Sequence, residues 1–216
     1  MFYSTNKIFS LIIILFFLFS FHSSAQRLER FGSNGISYTV IKTLYGTVPT
    51  HNISSVFAND TFTYFIFLWI PDSIKEIGIR MLSPVPELAM PDQGEMETPD
   101  YAERAGTKKF FDPFIFLEQA QDASAPEDAF AKNKTLHWKM LGQNDNSTDV
   151  TAQPTGEKKN SLLRLYDAPE KNIRLTRGLY RVCFRGYRGK QPAGTFLLQV
   201  GIYEMMPGLR LYKITD

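Results

Sequence analysis

The sequence predicts an all-β fold, a jelly-roll β-sandwich with a few short peripheral helices. Three observations carry that expectation. Several runs are dense in β-branched and aromatic residues, helical signals are few and short, and proline-rich connections such as "SPVPELAMPDQGEMETPD" separate the runs. Connections of that composition belong on a surface, and many short strands with little helix build sandwiches.

The elements follow in chain order. "ISYTVIKTLYG" (Ile36 to Gly46) mixes β-branched and aromatic side chains and stops at a glycine. "TFTYFIFLWIP" (Thr61 to Pro71) is apolar at nearly every position and stops at a proline. Too short to span a membrane and too rich in β-formers for a helix, it predicts a strand buried on both faces. "IGIRMLSP" and "FFDPFIFLEQ" predict two more, with "LHWKML" and "NSLLRLY" as weaker candidates. "TPDYAERAG" offers a threonine cap, a proline in the first turn and a glycine stop, the marks of a short helix. "APEDAFAKN" is similar. In "GLYRVCFRGY", Tyr180, Val182 and Phe184 point one way and Leu179, Arg181, Cys183 and Arg185 the other. "GTFLLQVGIYE" alternates likewise, with Phe196, Leu198, Val200 and Ile202 on one side. The intervening "RGYRGKQPAG" is rich in turn formers, so the two runs predict a β-hairpin with a long tip.

Residues 1–25 read as a secretory leader: Lys7, the apolar run "IFSLIIILFFLF", then a small-residue exit at Ser23, Ser24 and Ala25. The run is shorter than the ~20 residues of a spanning helix. Cleavage after Ala25 leaves residues 26–216 as a single domain, exported to the periplasm, the outer-membrane surface or the medium. A chain this size buries enough surface to need neither a disulfide scaffold nor a structural metal. The 24 basic and 22 acidic residues nearly cancel, which excludes a nucleic-acid partner.

Few residues point to chemistry. Cys183 is the single cysteine and has no histidine or second cysteine near it, so it reads as a packing residue. Arg185, Arg188 and Lys190 read as a solvated tip guarded by charge, with anion or matrix binding as the alternative. "NDNSTD" (Asn144 to Asp149) is the best local set of oxygens for a hard cation, though polar loops share that composition. It lacks the glycine and the final glutamate of an EF-hand. Phosphate loops, histidine metal motifs and Gly-x-Ser-x-Gly elbows are missing. Asn52, Asn59, Asn133 and Asn146 head glycosylation sequons, which matter only in a host that glycosylates.

Three ordered blocks, "TYFIFLWIPDSIKEIGIRMLSP", "FFDPFIFLEQ" and "NSLLRL" with "LTRGLYRVCFRGYRGKQPAGTFLLQVG", resemble the major surface lipoprotein family of leptospires and its bacterial homologues. The resemblance implies a jelly-roll sandwich, no catalysis and a place as an exposed surface protein. It also implies associations with calcium, with host matrix proteins and with dimer formation. The family's calcium site maps onto Asp112, Pro113, the loop bearing Asp145 and Asp149, and the carbonyl of Lys159. Pro113 lacks the family's threonine hydroxyl, the Asp-rich loop has shrunk to two aspartates, and Lys159 brings a cation, so calcium binding is expected to be weak. No cysteine follows the apolar run, so the protein is expected not to be lipidated.

Two alternatives remain open. A carbohydrate-binding jelly roll would use exposed aromatics such as Trp138 or Tyr187. A secreted hydrolase would use Asp112 and Glu118 as its acids. Six apart in one strand, at ~3.3 Å per residue, those carboxylates would lie ~20 Å apart, beyond the ~5–9.5 Å of glycosidase pairs. The expected function is therefore that of a non-enzymatic surface or envelope protein with an extracellular or envelope ligand, a matrix protein or a glycan.

Overall fold

Among the described residues, strand pairing divides the apolar runs between two six-stranded sheets. The computed structural model describes residues 30–31, 37–51, 53–86, 91, 95–132, 134–204 and 206–212. The leader with its cut after Ala25, and the sequons at Asn52 and Asn133, lie outside the described residues.

The first sheet contains β1 (Arg30–Phe31), β2 (Tyr38–Val48), β11 (Gly194–Ile202), β5 (Glu76–Leu82) and β9 (Ser161–Tyr166), in that spatial order. A short β6 (Met96–Glu97) runs parallel beside β2. The second sheet contains β12 (Arg210–Tyr212), β4 (Thr61–Ile70), β10 (Gly178–Gly186), β7 (Pro113–Ala120) and β8 (Trp138–Asn144), with β3 (Ser55–Ala58) paired to β4. Every pairing except β2 with β6 is antiparallel. From β8 onward each connection changes sheet, which winds the chain as a jelly roll is wound. The all-β sandwich that the sequence predicts is the fold. The helices are a single turn each: α1 (Tyr101–Arg104) and α2 (Asp128–Ala131).

Alternation sets the layers. The inward side chains of β4 (Tyr64, Ile66, Leu68, Ile70) and of β10 (Tyr180, Val182, Phe184) meet Phe196, Leu198, Val200 and Ile202 of β11 in one cluster. The outward side chains of β4, namely Phe65, Phe67 and Trp69, are also buried, under Ala129 and Leu136 of the 121–137 connection. β4 is thus buried on both faces, as its unbroken apolar composition predicts. On the first sheet, Tyr45 and Leu197 are covered by Tyr101 of α1 and by Val85.

Three local expectations change. β10 and β11 do not pair: β10 lies between β4 and β7, and β11 lies between β2 and β5. The segment read as a hairpin tip is a corner that carries the chain from one sheet to the other. Alternation reports which side of a strand is apolar, and turn formers serve hairpins and corners equally. Next, Thr98 does not cap α1, because its hydroxyl accepts the Thr47 N–H at 3.2 Å and so fastens the helix approach to β2. Finally, β7 begins at Pro113, so Asp112 stands just before the strand that holds Glu118. A proline fits at a strand start, where its missing N–H leaves no gap in the ladder.

Antiparallel register brings the starts of β7, β9 and β11 and the ends of β5, β8 and β10 to one end of the sandwich. The candidate site lies there.

Candidate cation-binding corner

Asp112 is placed by backbone on both sides. Its carbonyl accepts the Tyr187 N–H at 2.9 Å just beyond β10. β8 runs alongside β7 as far as Asn144, which stands opposite Ile115. Asp112 Oδ1 and Asn144 Oδ1 are both buried and neither has a hydrogen-bond partner. A buried oxygen without a donor costs free energy, and two of them at neighbouring strand ends are the unusual feature of this corner.

Charge completes the description. Burial pushes the Asp112 carboxyl above its ordinary range. Lys159 pulls it back, Asp145 and Glu157 push it further up, and Lys190 pulls it down. Ionised Asp112 is therefore a cost to the folded state at neutral pH. The stability gained by protonating it is fully present below the ordinary value of 3.8 and is lost as pH rises through the raised folded value.

The predicted residues come together only in part. Asp112, Asp145 and Lys159 share the corner. The Pro113 carbonyl accepts the Ser161 hydroxyl at 2.6 Å, so one of its lone pairs is taken. The Lys159 ammonium is 2.9 Å from Glu157, which holds it in an ion pair. Asp149 donates its N–H to Ser147 Oγ at 3.1 Å and is not among the charges acting most strongly on Asp112. Among the described residues no group of three or more His, Cys, Asp and Glu side chains is arranged to hold a metal. The partnerless oxygens fit a hard cation, but they supply fewer ligands than the six to eight that calcium takes.

Three residues have roles here that the sequence does not show. Asn144 falls inside the polar run, yet only the strand ladder shows that its oxygen is buried. Glu157, two residues before Lys159, goes unmarked in the sequence, and Lys190, read there as a tip cation, acts on this corner from the turn after β10.

The loop between β8 and β9 is held from below. Gln153 donates to the carbonyls of Phe111 (2.6 Å) and Ser83 (2.9 Å), and it is 4 % exposed. Asn160 accepts the Ser83 N–H at 2.8 Å and donates to the Thr151 carbonyl at 2.8 Å. Folding has already ordered this loop, so an ion there does not bear the ~1–2 kcal/mol per residue of fixing a free chain.

The other candidates are engaged elsewhere. Arg181 lies 4.3 Å from the centre of the Trp138 ring, on a face that a sugar would need. It also pairs with Glu118 at 2.5 Å, which occupies the second acid of the hydrolase reading. Arg185 stacks over Phe114 at 4.7 Å, whereas Arg188 and Lys190 are exposed.

No curated protein matches the chain. The profile of the Lipl32 family, described as surface lipoprotein of the Spirochaetales order, matches residues 33–211, and the chain belongs to that family.

Proposed function

We propose that this exported surface protein is a non-enzymatic binding module whose Asp112 corner takes calcium weakly. The observation that carries the reading is the pair of buried, partnerless oxygens, Asp112 Oδ1 and Asn144 Oδ1. Asp145 stands close enough to raise the Asp112 carboxyl further, so a divalent ion there would relieve both burial and repulsion. Lys159 and Lys190 oppose it, which is the reason for weak binding. The ligand of the module is an extracellular or envelope component. Cys183, the single cysteine, is buried in β10, so the reading includes export without a cysteine-linked lipid.

An ion bound only by the native state raises the melting temperature by mass action. Titration with calcium should raise it only in the millimolar range, and Asp112→Ala should abolish the rise. A saturable shift at micromolar calcium would refute weak binding. An equal shift in Asp112→Ala would remove the site from this corner.

A further inference from the structure

The hairpin of β3 and β4 carries an apolar tip. Its central residues, Asn59 and Asp60, have φ of 49° and 57°, the left-handed pair that a two-residue hairpin turn requires. Val56 is 45 % exposed and Phe57 64 % exposed, next to one another on β3. The Phe57 ring lies 6.2 Å from Phe62, and Phe62 lies 5.0 Å from the fully buried Tyr64. The exposed ring therefore stands on an aromatic stack rooted in the core.

A cationic turn lies against this hairpin. Gly189, at φ 74°, leaves only enough room that an added Cβ would sit 2.6 Å from Thr61 Oγ1. Arg188 and Lys190 flank that glycine and both are exposed. Asp60 is the only acidic residue between 55 and 62, and Lys190, the cation that also acts on Asp112, shares its turn with Arg188.

We propose that this end of the sandwich docks on an anionic lipid surface, with Val56 and Phe57 entering the interface and Arg188 and Lys190 meeting headgroup charge. Apolar side chains held out in water gain free energy on entering an interface, and a rigid support spares them the cost of ordering. Cations beside an anionic leaflet add an attraction that fades within a Debye length. A protein partner fits this shape less well. Two tip side chains present far less than the ~1,000 Å² of a stable protein interface.

The test reads the tip locally, so that nothing else tethering the exported protein to vesicles affects it. Phe57→Trp adds a reporter to the hairpin. Phe130→Trp is the matched control, since Phe130 is 63 % exposed but belongs to the connection at the other end of the sandwich. With vesicles containing phosphatidylglycerol, the added emission of Phe57→Trp should shift to the blue and be quenched by brominated acyl chains. That of Phe130→Trp should not change. In the Phe57→Trp background, Arg188→Gln and Lys190→Gln should each weaken the response about fivefold at low salt. No shift at position 57, or an equal shift at position 130, would overturn the proposal. So would an undiminished response on pure phosphatidylcholine.

Discussion

Burial decides the chemistry of Cys183. The residue is 1 % exposed, and its thiol points to the Glu118 carboxylate with Sγ 3.5 Å from the nearer oxygen. Burial pushes the thiol well above its ordinary range, and the Glu118 charge adds to that push while Arg181 opposes it. Thiolate is the reactive form, so little of it exists at neutral pH. A thiol reagent added to native protein at pH 7 should label Cys183 slowly, and urea should make labelling fast. Rapid labelling of the folded protein would contradict the assignment. Its place as a packing residue was legible in the sequence, because no base or second cysteine lies near it along the chain. The Glu118 and Arg181 setting was only half legible: Arg181 shares the alternating face of β10, but Glu118 reaches it through strand register. Asn144 shows the same limit, since its residue type suggests an oxygen donor and only the ladder buries it.

The connection between β7 and β8 is an element with a chemical fastening. Asp128, at the start of α2, accepts the N–H groups of Ser124 (2.7 Å) and Ala125 (3.2 Å). Its other oxygen lies 3.0 Å from the Lys132 ammonium. The backbone donors, led by Ser124, together with Lys132 hold its carboxyl down to about 2. A depressed carboxylate contributes stability that is present above the ordinary value of 3.8 and is lost as pH falls through about 2. Asp128→Ala should therefore lower the urea midpoint at pH 6, and the difference from the parent should shrink as pH falls towards 2. A difference independent of pH over that window would mean that the contribution is packing alone. The cover this fastening holds, Ala129 and Leu136 over Phe65 and Phe67, explains why the outward side of β4 is as apolar as its inward side. That doubly apolar run was legible, and so were eight of the twelve described strands; β1, β3, β6 and β12, two to four residues each, are too short to leave a pattern. What covered the run was not, since α2 is one turn long and has no periodicity to read. The corner between β10 and β11 was misread for a related reason: alternation fixes faces, and only long-range pairing fixes the sheet.

At the scale of the molecule, a few aromatic side chains join the two sheets at their interface, and the sheets are expected to unfold as one cooperative unit. Phe184 of β10 is the clearest of them. Its ring lies 5.5 Å from Tyr64 within its own sheet and 4.9 Å from Phe196 of β11 in the opposite sheet. All three are fully buried, so little space exists into which neighbours could relax. Removing such a ring loses its transfer free energy and leaves a cavity, together about 3–5 kcal/mol. For a chain of this length each kcal/mol corresponds to roughly 2–4 °C of melting temperature, so Phe184→Ala should melt about 10 °C lower. The form of the transition carries the stronger test. Since Phe184 packs against both sheets, its loss should weaken them together and leave one calorimetric transition, with near-UV dichroism and Cys183 accessibility changing at the same temperature. Cys183 reports on the second sheet from its outer face, whereas Tyr45 and Tyr101 report on the outer face of the first. If the tyrosine signal and the thiol signal separated into two transitions, the sheets would be independent units, and the reading of residues 26–216 as one domain would fail.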